Sequence, residues 1–133
     1  MSTETWVNEF YPTPAEAVVT EEEAIKHSLR KWKGLTPGNL IKHGMTVDTC
    51  FSIDDSEGVA FPVSSDSCAL CKLFLRWSEK VGDKTCTTDC PLVQTRGAPC
   101  DESTEASPRS PWGSWVSYRD PKPMIKLLEE ALG

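Results

Sequence analysis

Three patterns in this 133-residue sequence predict an α+β fold. Helical periodicity appears near both ends, a period-two alternation lies between them, and five cysteines crowd into residues 68–100. The predicted architecture is an N-terminal helical hairpin, a short β-hairpin, and a C-terminal module that is stapled through its cysteines and ends on a closing helix. The length suits one domain, 1–133, with no room for two full-sized cores. Within it, 1–12 reads as an arm, 13–63 as the helical hairpin plus strands, and 64–133 as the cysteine-rich module. Hydrophobic content of 38%, ten prolines and eight glycines break the chain into short elements, which gain from a metal staple.

The first dozen residues, including Trp6, Phe10 and Tyr11, read as extended. Thr13, Pro14 and Glu16 resemble a capping box with proline at the first helical position, so a short helical turn is expected there. A longer helix is predicted over 20–33: Thr20 precedes Glu23 by three, Ile25, Leu29 and Trp32 recur at helical spacing, and Gly34 stops it. Its acids lie at the start and Lys31 and Lys33 at the end, as the macrodipole favours. Thr36 and Pro37 open a second helix that Gly44 closes, with Leu40 and Ile41 turned inward.

Met45, Val47, Thr49, Phe51 and Ile53 then alternate with polar or small residues, the signature of one strand. Residues 54–58 read as a turn and 59–63 as a partner strand, which Pro62 confines to an edge. From Ser67 the period returns to helical, with Leu70, Leu73, Phe74 and Trp77 on one face and Gly82 as the stop. Residues 86–99 read as loop, 101–110 as a polar surface stretch, and Ser110 to Val116 as an aromatic turn. Asp120 and Pro121 cap a closing helix whose apolar face is Met124, Leu127, Leu128 and Ala131. Trp32 and Trp77 belong to apolar faces, and packing is the expected role of Trp112 and Trp115.

The cysteines carry the strongest chemical signal. Cys68 and Cys71 are three apart, a fourteen-residue spacer follows, then Cys86 and Cys90 are four apart, and Cys100 completes the group. Two close pairs joined by a spacer can wrap four thiolates around one soft divalent ion, and the expected cofactor is Zn2+. Cys68, Cys71, Cys86 and Cys90 are the simplest ligand set, with Cys100 a spare or a replacement for Cys86 or Cys90. Cys50 stands outside the group and is not expected to bind metal.

An iron–sulfur cluster is the rival, since Pro91 follows Cys90, but the rest of the ferredoxin spacing is missing. A redox role for Cys68 and Cys71 needs a βαβ context that the sequence does not offer. Six cysteines would also allow three disulfides in an exported chain. No basic and apolar leader opens the sequence, so a reducing cytoplasm is expected, and no apolar run reaches membrane-spanning length. The deaminase pattern of His-x-Glu with Pro-Cys-x-x-Cys is absent, and all-thiolate ligation argues for a structural site, so no enzyme is expected.

Net charge is −6, unevenly spread. Between Ala24 and Val47 there is no acid, while Lys26, Arg30, Lys31, Lys33 and Lys42 stand there with His27 and His43. That stretch carries +5; the nine basic and twenty acidic residues elsewhere leave −11. Such a chain is a poor general nucleic-acid binder and suits one selected anionic partner. The candidate ligand-binding residues are His27, Arg30, Lys31, Lys33 and Lys42. His27 neighbours Arg30 and Lys31 at helical spacings, and Trp112 would be available to stack on a base. A nucleic-acid-binding zinc module or small regulator is the alternative reading.

The segment from His27 to Leu35, followed by Asn39, Leu40, His43 and Gly44, resembles a recurring family of small uncharacterised phage and prophage proteins. Cys68, Leu70 and Cys71, the run Cys90 to Leu92, Gly97 with Cys100, Ser110 to Trp112, and Met124 with Ile125 fit it too. The resemblance covers about residues 13–132. It implies an accessory phage product in the bacterial host cell, of the kind that modifies host physiology or blocks host defence. Its partner would be a host protein or a small anionic signal such as a nucleotide. It supplies no catalytic residues.

Overall fold

A computed structural model describes residues 2–64, 67–79, 82–105 and 108–133, with side chains omitted at 77, 78 and 83–85. The fold is mixed helix and strand, α+β as predicted. Seven helices are described: α1 Thr3–Phe10, α2 Glu21–Gly34, α3 Pro37–Lys42, α4 Ala69–Phe74, α5 Pro91–Arg96, α6 Pro111–Tyr118 and α7 Lys122–Leu132. Three short strands, β1 Thr46–Thr49, β2 Ser52–Asp54 and β3 Ala60–Pro62, form an antiparallel meander with β2 central. A separate antiparallel hairpin joins β4 Leu75–Ser78 to β5 Asp83–Cys86. No helix among the described residues is long and apolar enough to cross a membrane.

Helix α2 organises the molecule, with α1, α4 and α7 all packed on it. Its N-terminus forms as predicted, Thr20 Oγ1 accepting the Glu23 N–H at 3.3 Å. It buries a wider arc than the predicted stripe, because Ala24, Ser28 and Lys31 are buried beside Ile25, Leu29 and Trp32. On one side Trp6 meets Phe61 at 5.0 Å and Phe10 at 5.7 Å. On the other, Trp32 takes Trp115 and Trp112 edge-on at 5.5 and 5.9 Å. The predicted closing helix is α7, which buries Met124, Leu127 and Leu128.

Several predicted boundaries are corrected. The arm at 1–12 is helix α1, capped reciprocally by Ser2 and Thr5, with Trp6 fully buried and its Nε1–H donating to the Gly34 carbonyl at 2.9 Å. The helical turn after Thr13 is a 3-10 turn over Ala15–Ala17, with Pro14 one place earlier than expected, at its N-cap. Ile41 points outward, while Leu40 is buried. The single strand at 45–53 is two strands: the β1–β2 register slips between Val47 and Thr49, and the chain reverses at Cys50 and Phe51. Pro62 does lie on an edge strand, β3.

The long helix after Ser67 stops at Phe74 and continues directly as β4, with Gly82 in the hairpin turn at φ 67°. Trp77, expected in the core, lies outside the described side chains. Residues 86–99 are not all loop, since Pro91–Arg96 form α5, and the aromatic turn at 110–116 is helix α6, capped by Ser110.

Candidate metal centre

The hairpin explains why a fourteen-residue spacer is compatible with convergence. Cys71 lies in α4, and the chain passes straight into β4, reverses, and returns along β5. Leu75 pairs with Cys86 in the β4–β5 register, so the strand ends where it began, beside the first pair. Thr87 N–H then donates to the Phe74 carbonyl at 3.1 Å, and a turn brings Cys90 to the N-cap of α5. Beyond α5, Gly97 in a left-handed conformation (φ 85°) turns the chain back. Cys100 is pinned there by its carbonyl, which accepts the Trp112 N–H at 3.0 Å.

All five predicted thiols border one narrow cleft, together with Ser28 and Trp32 of α2. None is in a disulfide. Cys90 is buried and the other four are half-buried. Cys50 sits apart, in the β1–β2 turn, where its carbonyl accepts the Trp115 Nε1–H at 2.7 Å. Among the described residues, no group of three or more Cys, His, Asp or Glu is already drawn into metal-ligating geometry.

Cys68 is the N-cap of α4, its sulfur accepting the Cys71 N–H at 3.3 Å, with Ser28 Oγ 3.8 Å away. A hydrogen bond from the Cys71 thiol pulls Cys68 down to about 5 against the cost of burial, helped by the charge of Lys31. Hydrogen bonds from Cys71 and Cys90 pull Cys86 down to about 3. Cys71 is pushed up because it donates to Cys68 and Cys86, Cys90 because it donates to Cys86, and Cys100 mainly by burial. A soft dication suits this donor set, since it can replace the shared protons and hold the sulfurs as thiolates.

The predicted ligand-binding residues do not share one surface. Lys31 is 1% exposed and turned away from the others, its Nζ donating to Ser67 Oγ at 3.2 Å. Burial pushes it down, while the charges of Cys68, Cys71 and Cys100 pull it back up. Ser67 is itself held by Tyr11, whose hydroxyl donates to its carbonyl at 2.9 Å. Trp112 lies on the same side as Lys31. Both line a cavity of about 360 Å³ with Trp32, Cys68, Cys71 and Cys100.

Arg30 and Lys33 line an open depression with Lys26, Leu29, Phe10 and Glu9. Arg30 Nε–H donates to the Glu9 carbonyl, and Lys42 Nζ reaches the Glu9 carboxylate at 2.9 Å. His43 Nε2 lies 2.7 Å from the same carboxylate, and the pull of Lys42 and His43 holds Glu9 below the usual range. His27 Nε2–H donates to the Thr13 carbonyl and its ring meets Tyr11 edge-on. Sequence reasoning missed Ser28, Ser67 and the inward turn of Lys31. One signal was present: Lys31 follows Ala24 and Ser28 at i+7 and i+3, in line with a stripe that buried Leu35 continues.

Comparison with known proteins finds no matching family model, no matching curated protein and no matching solved structure.

Proposed function

We propose that this chain is a non-enzymatic, zinc-stapled accessory protein of phage type that acts in the bacterial host cell by binding a host protein and so inhibits a defence system. The observation that carries the zinc is the convergence of five cysteines from α4, β5, α5 and the loop before α6 on one cleft. Four of them, with Cys68, Cys71, Cys86 and Cys90 the simplest set, would close around one ion and tie together the short elements that carry them. Zinc in such a site supplies folding free energy rather than chemistry.

A macromolecular partner is favoured over a small anionic signal because the basic residues divide. Lys31 is withdrawn among the thiols, Lys42 is engaged by Glu9 and Lys26 by Glu22 at 3.1 Å, while Arg30 and Lys33 stand on an open ledge. An open ledge suits a flat acidic partner surface better than a ligand that must be enclosed.

Metal analysis of the purified full chain should find about one zinc per molecule. Cys68→Ser should release it with loss of the cooperative unfolding transition, while Cys50→Ser leaves metal content unchanged. A metal-free wild type with its thiols in disulfides would sink the zinc. Capture from bacterial lysate, with mass spectrometry of co-purifying proteins and small molecules, tests the partner; a stoichiometric nucleotide in place of a protein would reverse the preference.

A further inference from the structure

We propose that Lys31 is a built-in counter-cation of the thiolate centre, a positioning residue that sets how tightly the metal is held. The inference rests on the thiol cluster being a metal site. An ammonium group has three N–H donors, and Lys31 gives one of them to Ser67 Oγ at 3.2 Å. The side chain is 1% exposed, with its charge 5.4 Å from the centre of the Trp32 ring, so water does not neutralise it. Among the described residues no carboxylate forms an ion pair with it; Asp101 borders the same cavity without doing so. Four cysteines, Cys68, Cys71, Cys86 and Cys100, line the cavity that Lys31 borders.

A buried cation is retained where a buried anion needs it. Four thiolates around one dication leave a net charge of −2, and a single ammonium beside them halves it. Its two remaining donors are not taken up by Ser67, and in the metal-loaded centre they would be offered to the thiolates, fixing ligand orientation and withdrawing charge as outer-shell partners do at metal sites. Neighbouring Ser28, 3.8 Å from the Cys68 sulfur, adds a neutral contact from the same helix face. Helix α2 thus reaches into a centre whose thiols all come from residues 68–100.

Cobalt(II) is the probe, because thiolate-to-cobalt absorption reports ligation directly. The full-length wild type, Lys31→Met, Lys31→Arg and Lys31→Gln would each be titrated with cobalt against a chelator of known affinity, with helical circular dichroism checking the fold. Methionine keeps the apolar stem and removes the charge. It should weaken metal binding by about 10–100-fold, the usual cost of losing an outer-shell partner, while arginine stays close to wild type. Equal affinity in wild type and Lys31→Met would overturn the inference and leave the metal site standing. Equal losses in the arginine and methionine variants would also overturn it, since shape rather than charge would then matter. Should the methionine variant not fold, arginine tight and glutamine weak supports the counter-cation, and the two alike overturns it. A wild type without thiolate-to-cobalt absorption overturns the metal reading, and this inference with it.

Discussion

At Gly34 a β-carbon would stand 2.5 Å from Cγ of Phe10, whose ring is buried against the end of α2. The absence of a side chain there lets α1 lie close enough for Trp6 to reach the Gly34 carbonyl. Helix propensity alone would favour alanine over glycine by about 1 kcal/mol. The contact reverses the sign: Gly34→Ala should destabilise the protein by about 1–3 kcal/mol in denaturant unfolding, the range for overpacking. A gain in stability would mean that α1 does not dock on α2 in this way. In the sequence Gly34 reads only as a helix stop, because periodicity along one segment says nothing of which ring will press against it from another. Lys31 is hidden for the same reason. Its charge marks it for solvent, and only the arrival of Ser67 and the thiols gives that charge a buried place.

Whole elements were legible where their periodicity was long and their ends were marked. Helices α2 and α7 formed close to their expected bounds, since each carries an apolar stripe and a start signal. The failures are short elements whose state is decided by a partner. The six residues of α4 are too few to persist as a helix on their own strength, and β5 captures the continuation as a strand. Helix α1 carried its signal in the capping pair Ser2 and Thr5 and in the four-residue step from Trp6 to Phe10, but eight residues become a helix here because α2 receives them.

The link between α1 and the sheet makes a prediction at this scale. The Asp55 carboxylate accepts the Thr3 N–H at 3.0 Å and the Glu57 and Val59 N–H groups at 2.9 and 3.0 Å. These bonds, that from Thr3 first, hold its carboxyl below the usual 3.8. The group is depressed in the folded state, so its contribution is complete above that value and is lost as pH falls through the lower folded value. Asp55→Ala should therefore lower the melting temperature at neutral pH. The gap from wild type should narrow below about pH 4; a gap that is the same at pH 7 and pH 3 would contradict the assignment.

Across the whole molecule, the acid-free stretch from Ala24 to Val47 does not remain acid-free in space. Glu9 crosses from α1 to meet Lys42 and His43, Glu22 pairs with Lys26 one turn along α2, and what is left as an open basic ledge is Arg30 and Lys33. Linear charge counting overstated the run of unpaired basic residues, because it could not foresee an acid delivered by the segment expected to be an arm. The clean test of recognition is therefore Arg30→Ala with Lys33→Ala, leaving the buried Lys31 untouched. Exposed substitutions usually stay within about 0.5 kcal/mol, so melting should hold and, on the proposed function, metal content stays unchanged while capture of an acidic partner is lost. Unchanged capture would return the ledge to solvent.

The packing of α2 on α7 has a consequence for how the chain is made. Helix α2 leaves the ribosome long before Lys122, so its wide apolar face, with Lys31 on it, waits through the synthesis of every cysteine that Lys31 will meet. Contacts this distant in sequence form slowly. The first thiol pair emerges at Cys71, and on the proposed function a metal captured there is held in an incomplete grip while the chain grows. Completion of the centre and burial of α2 would then be late, coupled events, and a chain stalled between them would present both a reactive thiol cluster and a bare hydrophobic helix to the cell.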